Sequence, residues 1–218
     1  SIYEEALKID KRSYMQYYLS LIKTKHALIF TFYTKNDYNS RKIKVILFLF
    51  SFACYYTVNA LFFTDFTVHE IYVDQGSFNF IYQIPKILYS TIISIVINVI
   101  VKLLSLSEKD ILGIKNETKN VDEKVSKLLK CLLIKFILFF IFISIFLFLF
   151  LYYLSCFGAV YKNTQFHLFK NTMTSFILSL IYPFGLNIIP GLFRIPALKA
   201  QNKNRNILYK ISTYLQLI

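Results

Sequence analysis

A chain of 218 residues with 56% hydrophobic side chains and a mean hydropathy of +0.50 is too apolar for a water-soluble domain of that length. Its net charge of +13 does not point to nucleic acid, because 22 of its 25 Lys and Arg flank long apolar runs and no nucleic-acid-binding module accompanies them. Anionic lipid headgroups account for such residues at about 1 kcal/mol each. Cys54, Cys131 and Cys156 lie within or against the runs, so no disulfide framework is implied. Cys131 reads as a lipid-facing thiol, with palmitoylation as the alternative. A first residue other than Met, with no cleavable signal pattern, predicts a piece of something longer. The heavy use of Phe, Tyr, Ile, Lys and Asn without any Trp matches an AT-rich coding bias, so the aromatic content is not read as binding chemistry.

The segment 1–44 reads as a basic cytoplasmic arm. Ser13 is a predicted N-cap, and Tyr14, Tyr17, Tyr18, Leu21, Ile22 and Leu28 recur behind it at helical spacing. With Lys11, Arg12, Lys23, Lys25 and His26 alongside, this is the pattern of an amphipathic helix lying in the headgroup region. Asn36–Ser40 reads as a turn, and Arg41, Lys42 and Lys44 mark the end of the first span.

The remainder, 45–218, predicts an all-α, polytopic membrane domain. Its spans are placed at about 45–64, 81–101, 136–161 and 171–193, since a bilayer core of about 30 Å needs roughly 20 apolar residues. The second span reaches that length only if Lys86 snorkels. The distribution of Lys and Arg predicts both termini and the 102–135 loop on the cytoplasmic side, with a basic C-terminal tail. Asn116-Glu117-Thr118, the one glycosylation sequon, falls in that inner loop. The outer loops are then 65–80 and 162–170. Asp65, His69, Glu70 and Asp74 in the first outer loop read as a solvated polar cap rather than as a cation site. Gly76-Ser77 breaks the chain before the second span.

The 102–135 loop carries a stripe of its own. Val121, Val125, Leu128, Leu129 and Leu132 fall on one helical face, and Asp122, Glu123, Lys124, Lys127 and Lys130 on the other. The stripe runs without a breaker into the third span, predicting one helix from about Asn120 to Tyr161, roughly 60 Å long. Its cytoplasmic part needs a partner: the end of the second span, or another protein chain. The fourth span holds Pro183, Gly185, Asn187, Pro190 and Gly191, which predicts a kink or break near Pro183, with Asn187 bonding freed carbonyl groups.

Polar residues inside the spans are Asn59, Asn98 and Asn187, with Lys86 near the outer face. They are read as packing glue between helices. No Asp, Glu or Arg lies inside a span, which argues against a proton relay or voltage sensor. No phosphate loop, HExxH, CxxC, nucleophile elbow or paired-His haem arrangement occurs, so no enzyme, cofactor, metal site or small-molecule substrate is expected.

The segment Thr24–Phe32 followed by Asn36-Asp37-Tyr38-Asn39, with the blocks Val58–Phe63, Gly76–Phe80 and Tyr182–Asn187, resembles a four-span module at the C-terminal ends of large membrane proteins of ciliated protists. More distantly, the order of elements is similar to the second-to-fifth spans of polycystin-like proteins. The resemblance implies a plasma or ciliary membrane, anchoring and partner association; it implies no pore, since the polycystin channel spans are not present. The sequence thus points to a non-catalytic anchoring and assembly module bound to anionic lipid and to other membrane chains. The alternatives are a subunit of a channel or transporter, and an accessory subunit of an organellar membrane complex.

Overall fold

A computed structural model describes residues 2–34, 37–75, 80–115, 121–199 and 206–216, apart from the side chains of Ile2, Glu5, Lys109, Lys115 and Val121. Among these residues every regular element is helical. In chain order they are α1 (Ile2–Ile9), α2 (Tyr14–Lys25), α3 (Arg41–Leu61), α4 (Asp65–Val73), α5 (Phe80–Ser105), α6 (Glu108–Lys115), α7 (Val121–Val160), α8 (Gln165–Leu186), α9 (Ile188–Lys199) and α10 (Asn206–Leu215). One π-helical turn, Ile29–Tyr33, follows α2, and one 3-10 turn, Lys162–Thr164, joins α7 to α8. Four stretches are long and apolar enough to cross a membrane: Arg41–Leu61, Phe80–Ser105, Asp122–Val160 and Lys162–Lys199, the last made of α8 and α9. The chain divides into two units, Asn36–Leu178, and Ser1–Lys35 with Ser179–Ile218.

Within the Asn36–Leu178 unit α3 is the central helix. Of its most apolar window 56% is buried, against 17% for α7, although α7 is the more hydrophobic of the two. Ile43, Leu47, Phe50 and Val58 of α3 form a core with Val101 of α5 and Phe139, Ile143 and Phe150 of α7. Phe50 stacks on Phe150 at 5.8 Å, and Phe176 of α8 sets its edge against Phe52 and Tyr55. Polar rims close both ends. At one, Lys44 pairs with Asp37, Lys135 donates to Asp110 and to the Leu106 carbonyl, and Asn39 accepts the N–H groups of Ser107 and Glu108. At the other, Lys86 donates to Thr67 and Tyr161 to Asp65. The 21 residues of α3, Arg41–Leu61, span about 30 Å, the thickness of a hydrocarbon core.

Several expectations need correction here. The first outer segment is not a loop throughout: Thr64 caps α4 through Thr67, and that helix runs to Val73. The second outer segment shrinks to the 3-10 turn because α8 starts at Gln165. The third-span helix does run unbroken, from Val121 to Val160. The sequon at Asn116, the Gly76-Ser77 pair and the Val121 side chain lie outside the described residues.

In the other unit α9 is the hub, and it explains why the N-terminal arm folds as it does. Ser13 caps α2 in a reciprocal box with Gln16. Of the face expected to meet headgroups, Tyr17, Leu21 and Ile22 are buried within the chain, Tyr17 and Leu21 packing with Ile195. Tyr14 and Tyr18 donate to the carbonyls of Ile188 and Phe184, beside the junction of α8 and α9. Gly191 is required at its position, because a Cβ there would lie 2.6 Å from the Tyr14 ring. Tyr3 reaches the Ala197 carbonyl at 2.8 Å and packs on Tyr209 of α10.

The fourth span also breaks one turn later than expected. Pro183 stays inside α8, and the helix ends at Leu186. Asn187 takes both its backbone N–H and its Nδ2 to the Pro183 carbonyl, at 3.1 and 2.7 Å. This double use closes the last turn of α8. Pro190 then falls in the first turn of α9, where a missing N–H costs no helical bond.

Candidate functional site

The buried face of α5 is polar along nearly its whole length. Gln83, Ile87, Ser90, Ser94, Asn98, Val101 and Ser105 follow one another at steps of three and four residues and are all buried. On the opposite face Ile81, Leu88, Ile92, Val96 and Leu103 are exposed. This is the reverse of a helix in water and is what lipid demands: apolar side chains outward, polar groups satisfied against neighbouring helices. From Gln83 to Ser105 the seam covers about 33 Å.

Asn59 of α3 is its centre. Its Nδ2 donates to the Tyr55 carbonyl at 2.8 Å, which turns Oδ1 toward α5 and α8. There it accepts from Ser90 at 3.0 Å and from Ser175 at 3.2 Å, and the two hydroxyl oxygens are 3.5 Å apart. Each serine has a second acceptor, the Ile87 and Asn171 carbonyls respectively, so a single hydroxyl proton is shared between two choices. Toward the Lys86 end, Asn171 donates to Gln83 at 3.0 Å. In the other direction, Asn98 donates to the Ser94 carbonyl at 2.7 Å. Every side chain in this group is neutral, which suits a depth where an unpaired charge costs several kcal/mol.

A second polar cluster, of opposite character, lies in the other unit. Asp10 takes Arg12 through both carboxylate oxygens at 2.7 and 2.8 Å, and takes two nitrogens of Arg194 at 2.8 and 3.0 Å. The hydrogen bonds from Arg12 lead in holding the Asp10 carboxyl down to about 2, against the desolvation that opposes them, with Arg194 assisting. Both guanidinium groups lie 5.2 Å from the Tyr17 ring centre, and Arg194 also covers Tyr209 at 4.8 Å. Burial pushes the Tyr17 hydroxyl up.

Of the three intramembrane asparagines, Asn59 and Asn98 share the seam, and Asn187 belongs to the other unit with Pro183 and Pro190. Sequence reading missed Gln83, Ser90, Ser94, Asn171, Thr172 and Ser175. Helical spacing of small polar residues, 83-90-94-98 and 171-175, was the available signal. On α7 the expected interaction stripe is divided: Leu132 is buried and Leu128 half-buried, whereas Val125 and Leu129 are 38% and 62% exposed.

Four stretches long and apolar enough to cross a bilayer, one of them with its polar face turned inward, define a multi-pass α-helical membrane protein. No family model matches the chain, and neither does any curated protein or solved structure.

Proposed function

We propose that this chain is a non-catalytic membrane-anchoring and assembly module whose docking element is the extension of α7. One observation carries the reading. Lys135 is tied to the polar rim by Asp110, so Val121–Ile134 continue α7 about 20 Å past that rim. Over that stretch Val125, Leu129, Leu133 and Ile134 are exposed, and we assign Val125 and Leu129 to the region beyond the lipid tails. Apolar side chains held there by a rigid helix are suited to another protein chain. The positive-inside distribution supports placing the rim and both termini on the cytoplasmic face, and the polycystin-like layout supports a plasma or ciliary membrane. The N-terminal arm then lies at the level of anionic headgroups, where exposed Met15 and Leu19 of α2 meet the interface.

The test pairs Val125→Asp with Leu129→Asp in the native membrane. The double variant should insert and keep its melting temperature while the extracted complex falls to the mass of the single chain. Replacing Lys124 and Lys127 by Ser should leave the complex intact. Equal behaviour of the two pairs removes the docking role. A second reading, a channel or transporter subunit, is favoured by the polar seam. Cation flux through vesicles holding the purified chain alone would select it.

A further inference from the structure

Three buried groups of α5 and α8 have no geometrically sound hydrogen bond within the protein: Ser94 Oγ, whose polar neighbour is the Cys54 thiol, Asn171 Oδ1 and Thr172 Oγ1. Their residues are 0–2% exposed. Elsewhere in the chain, helical hydroxyls at comparable positions bond back to the preceding turn: Thr57 to Ala53, Thr91 to Ile87, Ser155 to Leu151 and Thr174 to Lys170. Ser94 and Thr172 do not. Asn171 is equally committed, because its Nδ2 donates to Gln83 and leaves Oδ1 as an acceptor in want of a donor. The neighbouring Ser175 cannot supply one, since its single proton is already divided between Asn59 Oδ1 and the Asn171 carbonyl. A buried polar group left without a partner in a lipid-enclosed core is costly enough that a donor of some kind is required.

We propose that the seam is an internal water site with two levels, one at Asn171 and Thr172 and one at Ser94. Water is the guest that fits, because the Asn171 oxygen needs a donor and the Thr172 and Ser94 hydroxyls need an acceptor, and water is both. Among the described residues, the side chains hydrogen-bonded along the seam are all neutral, so none of them balances a bare cation. The two levels are separated by eleven residues of α5, about 16 Å, with the Asn59–Ser90–Ser175 triangle between them. Buried Ile87 interrupts the polar face between the two levels. Buried Val101 closes it beyond Asn98, packed in the apolar core with Phe50 and Phe139. The waters are therefore held, in a compartment lined by hydroxyl and carboxamide groups. The assignment is independent of the assembly role and survives or fails without it.

Water-edited solid-state NMR of the full chain in deuterated lipid bilayers decides the matter. Magnetisation should pass from water to the Asn171 carboxamide and to the Ser94 amide, and not to Phe139 or Phe176, which sit in the dry core. Thr172→Val should abolish the transfer at Asn171 and leave it at Ser94; Thr172→Ser should retain both. Thr172→Val should also lower the melting temperature, because the water loses a bond. If the site is dry, exchanging an orphaned hydroxyl for a methyl raises it. Absence of transfer at both levels, or a rise in melting temperature, overturns the proposal. So does a fall in melting temperature when sodium and potassium are replaced by choline at constant ionic strength, since that outcome makes the guest a cation.

Discussion

The two units solve the problem of an internal polar cluster in opposite ways. In Asn36–Leu178 the cluster is neutral, built from Asn59, Ser90, Ser175, Asn171 and Gln83, and each bond is worth only about 0.6–2 kcal/mol. In the unit formed by the two chain ends it is ionic, with Asp10 between two guanidinium groups and aromatic rings over both. Arg12 of the ionic cluster keeps contact with solvent, being 43% exposed at its side chain. The side chains of the neutral seam are all shut off from bulk solvent. What decides the chemistry is therefore the surrounding medium: carboxamides and hydroxyls tolerate lipid on all sides, whereas a carboxylate holds its charge only with paired cations near an interface.

That contrast predicts a graded set of effects. The largest belongs to Asp10→Ala, which leaves Arg194 uncompensated at 11% side-chain exposure. A loss of about 3 kcal/mol is expected in chemical denaturation, with the Asp10→Ala, Arg194→Ala double change recovering part of it. Gly191→Ala comes next. Its Cβ overlaps the Tyr14 ring, so a cost of about 1–3 kcal/mol should appear in thermal unfolding and should vanish in a Tyr14→Ala background. An undiminished cost in that background would mean that the ring does not sit there. Asn59→Leu removes the centre of the neutral cluster, but Ser90 and Ser175 can turn to the Ile87 and Asn171 carbonyls. About 1–2 kcal/mol should be lost, less than for Asp10, and equality of the two would erase the distinction drawn above.

The smallest effect is set by pH. Asp10 titrates lower in the folded chain than in the unfolded one, at about 2 against an ordinary 3.8. Its contribution is therefore complete above about pH 4 and is lost as pH falls through about 2. Allowing for solvent screening, about 1–2 kcal/mol should disappear in that window. Asp10→Asn should flatten the dependence there, whereas Asn59→Leu should leave its slope unchanged.

The parts of this architecture that were legible in the sequence are those written in local pattern. Long uncharged runs gave α3, α5, α7 and α8, and the unbroken stripe from Val121 predicted the length of α7. Ser13 was readable as a cap. Helix α4 was not, because the cap at Thr64 is answered by Thr67 rather than by the Glu or Gln that makes the signature recognisable. Ser90, Ser94, Asn171 and Ser175 were hidden by averaging: a small hydroxyl among Ile and Val barely changes the hydropathy of a span. Asp10 and Arg194 were beyond reach, since nothing local couples residues 184 apart. The burial of Tyr17 and Leu21 on α2 was hidden for the same reason, as Ile195, which covers them, lies far along the sequence.

That separation has a consequence for synthesis. The arm is made before the helices that pack it: Tyr3 waits for Ala197, Asp10 for Arg194 and Tyr14 for Gly191. At roughly 5–20 residues per second, α2 spends on the order of ten to thirty seconds outside the ribosome before α9 emerges. During that interval its tyrosine face is open to chaperones, to the membrane surface and to neighbouring chains. Closure of the arm onto α9 thus marks the synthesis of α9, and a nascent chain stalled before Arg194 would display an aromatic, basic segment that α9 later covers.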